Sequence, residues 1–268
     1  MEFGGHRPYT PGDDLRWLDR RSLLRHDRLL VRQFETETDR ALRLLVDATA
    51  SMGYRGSAAP GAKLAWIALI AAALARIAIG SGDPVGLSYF GGEAPKVARG
   101  QKPAPSRSLP VSGGREAFER IVASLEGAEA GGDAQADREV LDRALGSIAR
   151  SARRGSIVVV LSDLLDLPPD AAERIAAVAS RGRVLVVVQA LDPDEATFPF
   201  EGTIRLRSLE GNVVVETDAD AKGRYLEAVR GLQEQWEKVL VTRGARLLCC
   251  TTDEDPVRVV RRIIEAAR

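Results

Sequence analysis

The sequence has little of several residue types on which whole classes of protein depend. Its two cysteines, Cys249 and Cys250, are adjacent, so they match neither a disulfide framework nor the spaced ligands of a zinc site. Its only histidines are His6 and His26, both near the start of the chain. Since the sequence also lacks a Gly-x-Ser-x-Gly turn, a serine hydrolase is disfavoured. We expect a reducing environment, the cytoplasm.

An excess of either charge is also missing, because 38 basic and 38 acidic residues leave a formal net charge of zero. No global field therefore draws the chain toward nucleic acid or an anionic membrane. Aromatic residues make up only 5% of the chain, and no basic run is interleaved with them, which disfavours stacking on single-stranded nucleic acid. We expect partners to be selected by local surfaces, and nucleic acid not to be among them.

Long apolar runs are absent as well. The most apolar stretch, 64–75, is rich in alanine and well short of the roughly 20 residues that a membrane-spanning helix needs. The start, MEFGGHRPY, lacks the basic and apolar regions of a secretory signal. We therefore predict a buried helix at 64–75, no membrane span in this chain and no export.

What the chain does contain is an alternation of short apolar strands with longer helical segments. Strands are predicted at 41–47, 85–90, 156–163, 184–190 and 246–250. Helices are predicted from after Pro60 to about 79, at 115–125, 137–152, 170–180 and 218–242, and beyond Pro256. Such alternation gives an α/β fold with a doubly wound, mostly parallel sheet of Rossmann-like plan, covered on both faces. We predict one such domain over 41–268.

Other segments stand outside the alternation. Residues 1–40 are polar, rich in arginine and aspartate, with a single strand-like pattern at 29–34, and we predict an N-terminal arm. A β-hairpin insertion is predicted at 203–217. An antiparallel strand is expected near 96–98, followed by a surface loop over 101–114 that is rich in proline and serine.

Two predicted strands end in oxygen-bearing side chains. The first ends at Asp47, which Thr49 and Ser51 follow at alternating positions, and another ends at Asp163. In an open parallel sheet, ligands bind beyond the carboxyl ends of the strands, where the strand order reverses. A third loop, with sequence Gly-Gly-Asp, places Asp133 ahead of the helix that leads into the second of these strands. We expect all three loops to meet at one edge of the sheet.

The residue types at this edge suit a hard cation. Aspartate carboxylates and Ser or Thr hydroxyls are hard oxygen donors, and Mg²⁺ prefers few protein ligands and several retained waters. Alternate residues of a tight loop point the same way, so Asp-x-Thr-x-Ser directs one acid and two hydroxyls to one point. From spacing alone a second interpretation stays open, in which Thr49 and Ser51 only satisfy loop backbone groups or cap a helix.

Two resemblances bear on this choice. The loop DATASM, with the later VVVLSD, resembles the metal-ion-dependent adhesion site of von Willebrand factor A domains, which combines Asp-x-Ser-x-Ser with a Thr and an Asp from two further loops. The arm resembles the segment that defines the family called domain of unknown function 58, in which an Arg-x-Tyr-x-x-Gly-Asp-Asp-x-Arg motif precedes such a fold. The matching residues are Arg7, Tyr9, Gly12, Asp13, Asp14, Arg16 and Asp19. The chain is identified as a member of that family.

The resemblance implies a ligand set for Mg²⁺ or Mn²⁺. Asp47, Thr49 and Ser51 would be the first-loop ligands, with Thr49 replacing a serine but keeping its hydroxyl. Asp163 would be the acid of the fourth loop, often bound through water. Asp133 stands where the family pattern has a threonine, so this position departs from the pattern and adds negative charge.

The resemblance further implies a non-enzymatic protein-interaction module whose cation leaves one coordination position open for an acidic side chain of a partner. It implies a MoxR-type AAA+ ATPase as that partner, with this chain as its adaptor or co-chaperone. A metal-dependent hydrolase that uses Asp47 and Asp163, and a metal-free scaffold, are the alternatives. No nucleotide site is predicted, because the glycine-rich segment 80–86 follows a helix, whereas a phosphate loop follows a strand.

Overall fold

The computed structural model describes residues 2–8, 30–35, 40–92, 108–134, 138–200, 202–209, 214–218 and 220–268. It divides the chain into two compact units, Met1–Asp39 and Arg40–Arg268.

In the first unit the structure describes a two-stranded antiparallel ribbon, formed by β1 (Glu2–Pro8) and β2 (Leu30–Glu35). The sequence predicts only β2. The strand β1 is missed because its two glycines and its proline are residue types that strands disfavour. The arm motif from Tyr9 to Asp19 lies outside the described residues.

The second unit is built on a six-stranded sheet. Its strands and those of a separate hairpin are β3 (Leu42–Ala48), β4 (Val85–Gly91), β5 (Leu109–Ser112), β6 (Ile157–Ser162), β7 (Val184–Leu191), β8 (Arg205–Arg207), β9 (Val214–Glu216) and β10 (Arg246–Thr251). The sheet order is β10-β7-β6-β3-β4-β5, and every neighbouring pair is parallel except β4 with β5.

Helices cover both faces of this sheet. They are α1 (Lys63–Gly80), α2 (Arg115–Glu126), α3 (Arg138–Ser151), α4 (Ala171–Ala176), α5 (Pro193–Thr197), α6 (Ala221–Thr242) and α7 (Pro256–Ala266). One core packs α1, α2 and α7 against the sheet, and the other packs α3, α4 and α6. The central strands consist mostly of Val, Ile and Leu because both of their faces are buried. The doubly wound α/β fold that the sequence predicts is therefore confirmed.

The strand order reverses between β3 and β6. From β3 the chain continues to β4 and β5 on one side, and it then returns to β6, β7 and β10 on the other side. The loops that leave β3 and β6 therefore diverge to opposite sides, which opens a crevice at the carboxyl ends of these strands. Asp47 and Asp163 stand at the two sides of that crevice.

At one edge of the sheet the structure differs from the prediction. Residues 101–114 are predicted as a surface loop, but Leu109–Ser112 form the antiparallel strand β5 on β4. The pattern is hidden because the strand has only four residues and contains Pro110, which an edge strand tolerates. The strand expected near 96–98 lies outside the described residues. The hairpin predicted at 203–217 is confirmed as the antiparallel pair β8 and β9.

Helix α1 is both the most apolar helix and a core element. Its 18 residues, with a mean hydropathy of 1.8, would by length and composition also meet the requirements for crossing a membrane. Core helices meet the same requirements, and Ile67, Ile70 and Trp66 of α1 are buried against the sheet and its neighbouring helices. The buried helix that the sequence predicts is thus what the structure contains.

Replacing two isoleucines of α1 by alanine, one buried and one exposed, tests this packing. Ile70 is fully buried, whereas Ile77, two turns later, is 45% exposed. Ile70→Ala leaves a cavity and is expected to lower the free energy of unfolding by about 2–5 kcal/mol, whereas Ile77→Ala is expected to cost less than about 1 kcal/mol. Urea denaturation of both variants measures the difference. Equal losses would contradict the placement of α1 in the core.

Candidate cation-binding site

The end of β3 gathers three oxygen-bearing side chains. The Oδ1 of Asp47 accepts hydrogen bonds from the backbone N–H of Thr49 at 2.9 Å and from its Oγ1 at 2.7 Å. The Oγ1 of Thr49 in turn lies 3.1 Å from the Oγ of Ser51. All three residues are buried. Together with Asp163 they form what we call the oxygen cluster.

The loop that carries these residues is fixed by its neighbours. The N–H of Ala50 donates to the carbonyl of Gly132, and the N–H of Gly131 donates to the carbonyl of Ala48. Gly91 has a positive φ of 72°, and a side chain there would collide with the Thr49 backbone. The interpretation that Thr49 only caps a helix is wrong, because its side chain makes no cap hydrogen bond and engages Asp47 instead.

Asp163 enters the cluster from β6. The hydroxyl of Ser162 donates to Asp47 Oδ2 at 2.5 Å, which ties the two strand ends together. The N–H of Leu165 donates to Asp163 Oδ1 at 2.9 Å. The loop that follows places Leu164 and Asp166 at positive φ angles of 59° and 52°. Non-glycine residues adopt such angles at an energetic cost, and these angles are enriched at functional sites.

A buried lysine meets Asp163 from the side of α1. The Nζ of Lys63 lies 2.7 Å from Asp163 Oδ2 and 2.5 Å from Glu195 Oε1. The lysine and Asp163 side chains are fully buried, whereas that of Glu195 is 16% exposed. Lys63 therefore links the end of β6 to α5.

The short helix α5 supplies further acids beside the cluster. Asp192 and Glu195 form a capping box, and Pro193 occupies the first helical position. One Asp192 oxygen serves the capping box, and the other, Oδ2, accepts the N–H of Gly56 at 2.7 Å. A side chain at position 56 would displace the carboxylates of Asp192 and Asp194, which lie against Gly56.

The ionisable side chains of the site are buried and their charges are only partly compensated, which shifts several of their pKa values. Burial, and then the charge of Asp163, raise the pKa of Asp47 to about 7, although the hydrogen bonds from Ser162 and Thr49 lower it. Burial alone would lower the pKa of Lys63, but Asp163 and Glu195 outweigh it and the pKa is raised. Burial also raises the pKa of Glu195, against the opposing effect of Lys63. Asp47 is thus a buried carboxyl with which no cation among the described residues forms an ion pair.

A cavity of about 620 Å³ opens beside Ser51. Its walls are mainly apolar, and the rings of Phe198 and Tyr225 contact each other there, tilted by 38° with centroids 5.1 Å apart. Acidic side chains stand at the same cavity, namely Asp133, Asp166, Asp194 and Glu195. Arg224 also lines it but is paired with Asp218.

The oxygen cluster fits a hard divalent cation. It combines two hydroxyls with two carboxylates, which are donors that Mg²⁺ and Mn²⁺ accept. Within the described residues there is no group of three or more His, Cys, Asp or Glu placed to hold a metal ion, so the hydroxyls are essential to such a site. The raised pKa of Asp47 indicates that a positive charge would stabilise this position.

The structure brings the predicted site residues to one edge of the sheet. Asp47, Thr49 and Ser51 are joined by hydrogen bonds, and Asp163 is close enough to Asp47 to raise its pKa. Asp133 stands with Ser51 at the cavity, on the loop that is bonded to the first loop. Its role as a ligand stays a prediction.

Two features of the site are missed by the sequence interpretation. One is Lys63, and its signal is an isolated cation at the first position of an apolar helix, where the helix dipole disfavours positive charge. The other is α5, whose Asp-Pro-x-Glu pattern directly after β7 is the signature of a capping box.

Comparison with known proteins agrees with this architecture. A family model described as protein of unknown function DUF58 matches residues 5–235. Uncharacterized proteins of Mycobacterium bovis and Mycobacterium tuberculosis are 28% identical over 272 residues, which cover all of this chain and 80% of theirs.

Similar solved structures include the conserved hypothetical protein BatB from Bacteroides thetaiotaomicron, at 19% identity and a TM-score of 0.52 over 85% of this chain and 98% of that one. A von Willebrand factor type A structure from Catenulispora acidiphila matches at 11% identity and a TM-score of 0.46, over 89% of this chain and 43% of that one. At such identities the likeness concerns the fold alone. With the sheet order described above, the fold is of the von Willebrand factor A type, as the sequence predicts.

The pKa of Asp47 predicts an unusual dependence of stability on pH. Because the folded state raises this pKa from 3.8 to about 7, it binds a proton that the unfolded chain has released, and this contribution to stability is lost as the pH rises from about 4 to 7. Asp47→Asn removes the loss. In EDTA we expect the free energy of unfolding of Asp47→Asn, relative to that of wild type, to increase by on the order of 2–4 kcal/mol as the pH rises from 5 to 8.

Chemical denaturation across this pH range measures the effect. Asp253→Asn, at an exposed position after β10, is the control and should follow the wild-type profile. Parallel profiles for Asp47→Asn and wild type would show that Asp47 is not a destabilised buried carboxylate.

Proposed function

The chain belongs to the family described as protein of unknown function DUF58, and from this premise and the site geometry we propose that it is a non-enzymatic, cation-dependent protein-interaction module. The observation that carries the proposal is the buried carboxylate of Asp47 at the switch point of the sheet, which accepts the Thr49 hydroxyl, itself bonded to that of Ser51, and which no cation of the described residues neutralises. Binding at such crevices is the usual use of an open parallel sheet.

The charges of the site favour a divalent ion. Asp47, Asp163 and Glu195 carry three formal negative charges, and the ammonium of Lys63 offsets one of them. Negative charge therefore remains, and Asp133, Asp166 and Asp194 at the same cavity add to it. One Mg²⁺ or Mn²⁺ would offset part of it. Asp47, Thr49 and Ser51 would hold the ion with Asp163, and Asp133 is the further candidate ligand. When bound, the ion would supply an acceptor position for a carboxylate of the partner.

The protein's own residues would contribute orientation and contact area. Ser51 lines the 620 Å³ cavity, so an acidic residue at the cluster would place its neighbours against apolar walls. Phe198 is held at that wall by its backbone hydrogen bond to Asp194 and by its contact with Tyr225. We propose an acidic residue flanked by apolar residues as the recognised feature.

The non-enzymatic part of the proposal rests on how the candidate bases are engaged. Asp163 accepts hydrogen bonds at both carboxylate oxygens, and Lys63 donates to two acids. A general base needs a lone pair directed at its substrate, and the described contacts of Asp163 and Lys63 are with groups of the protein. A metal-dependent hydrolase that uses Asp47 and Asp163 is the alternative, as is a metal-free scaffold.

We propose a MoxR-type AAA+ ATPase as the partner, in the cytoplasm, with this chain as its adaptor or co-chaperone. Support for this partner comes from the resemblance of the arm and of the adhesion-site loop to the family patterns. The acidic residue that the cluster would recognise belongs, in this proposal, to the ATPase surface.

Cation binding is expected to raise the thermal stability of the purified protein. A ligand that binds only the folded state adds about 2.7 kcal/mol at a concentration 100-fold above its dissociation constant. We expect millimolar Mg²⁺ or Mn²⁺ to raise the melting temperature of wild type relative to EDTA, and Thr49→Val and Ser51→Ala to abolish the rise. Differential scanning fluorimetry measures it.

Ser81→Ala is the matched control, since Ser81 is exposed at the opposite end of α1 and should leave the rise intact. A cation-induced rise that survives in Thr49→Val and Ser51→Ala would place the ion elsewhere. No rise in wild type would favour the metal-free scaffold.

Partner binding is expected to depend on the same hydroxyls. Because an ATPase itself requires Mg²⁺, variants separate the two requirements better than a chelator. We expect Ser51→Ala to weaken binding to a MoxR-type ATPase at least tenfold, and Ser81→Ala to leave it unchanged, as measured by biolayer interferometry. Turnover of p-nitrophenyl phosphate with Mg²⁺ or Mn²⁺ that is lost in Asp47→Asn would instead establish the hydrolase.

A further inference from the structure

The helix α1 begins with a residue that two physical effects disfavour at that place. Lys63 is its first residue, and a positive charge at a helix N-terminus opposes the helix dipole. The side chain is also fully buried, which removes the hydration of its ammonium. A lysine in this position folds only because strong local interactions offset both costs.

Those interactions come from two acids on different elements. The Nζ of Lys63 lies 2.7 Å from Asp163 at the end of β6 and 2.5 Å from Glu195 on α5, with the ring of Tyr54 5.8 Å away. The backbone of Lys63 is anchored as well, since its N–H donates to the carbonyl of Tyr54. The ammonium is therefore held at a defined point next to the oxygen cluster.

The ammonium is bound to a carboxylate that a divalent cation would also use. Asp163 accepts Leu165 N–H at Oδ1 and Lys63 at Oδ2, so both of its oxygens are engaged. A divalent ion that draws on Asp163, directly or through water, meets an ammonium at hydrogen-bond distance from the same carboxylate. Like charges a few ångströms apart in a buried site repel strongly.

We propose that Lys63 is an internal competitor of the divalent cation for Asp163. With the ammonium on Asp163 the oxygen cluster holds the ion weakly, and loading of the ion shifts the ammonium toward Glu195. Glu195 is suited to receive it, because its other oxygen is fixed by the N–H of Asp192 in the capping box of α5. The inference rests on the proposed function, since it concerns the affinity of the same site.

Lys63→Met tests the competition directly. The variant keeps a long side chain but lacks the ammonium, and we expect it to bind Mn²⁺ at least tenfold more tightly than wild type by isothermal titration calorimetry. Glu195→Gln removes the negative charge of the second acceptor of the ammonium, and we expect it to bind Mn²⁺ more weakly than wild type. Lys238→Met, at an exposed position of α6, is the control and should match wild type.

The double variant Lys63→Met/Glu195→Gln guards against misfolding. It removes the ammonium together with the charge of Glu195, so Asp163 alone loses its cation, whereas Lys63→Met leaves both acids without one. We expect it to bind Mn²⁺ more tightly than Glu195→Gln alone. If the double variant and Glu195→Gln bind Mn²⁺ with equal affinity, the inference is overturned, even if Lys63→Met does not fold.

A second readout follows the ammonium itself. In protein labelled with ¹⁵N-lysine, the Nζ resonance of Lys63 is the one missing from the spectrum of Lys63→Met. We expect it to shift on saturation with Mg²⁺, while the Lys238 resonance stays in place.

The outcomes separate this inference from the proposed function. Binding by Lys63→Met but not by wild type would support the competition while showing that wild type alone is not cation-dependent. Equal affinity in both, with an unmoved Lys63 resonance, would overturn the competition and leave the cation site standing. Absence of binding in every variant would overturn both.

Discussion

The site depends on one constraint, which is that two neighbouring strand ends remove two carboxylates from water. Because β3 and β6 are paired in parallel register, Asp47 lies beside Ser162 and only one residue from Asp163. Buried like charges at this separation destabilise each other. The surrounding groups compensate in part: the hydroxyls of Ser162 and Thr49 donate to Asp47, and Lys63 donates to Asp163.

The same constraint explains why the backbone at the crevice is unusual. Gly91 is required where the backbone of Thr49 approaches closely, and Leu164 and Asp166 adopt positive φ angles in the loop after β6. Such conformations persist only when the surrounding structure enforces them. Two large cores, one on each face of the sheet, provide that enforcement.

The residues that the sequence reveals are those whose role is local. Asp47, Thr49 and Ser51 are recognisable because they follow one buried strand at alternating positions, and Asp163 because it ends another. Lys63 cannot be assigned in this way, since its partner Asp163 lies 100 residues away and only the order of the strands brings them together. The strands β1 and β5 escape detection because their glycines and prolines contradict strand propensity, which pairing with a neighbour overrides.

An ammonium and a divalent ion are two solutions to the same problem of buried negative charge. The lysine is always present, so the domain does not need a metal in order to fold around Asp163. The lysine does not compensate Asp47, however, whose carboxyl retains a raised pKa and accepts the hydroxyl of Thr49, which is bonded in turn to that of Ser51. A site that folds without the ion and still presents its ligands is suited to binding the ion on demand. That property belongs to recognition of a partner more than to maintenance of the fold.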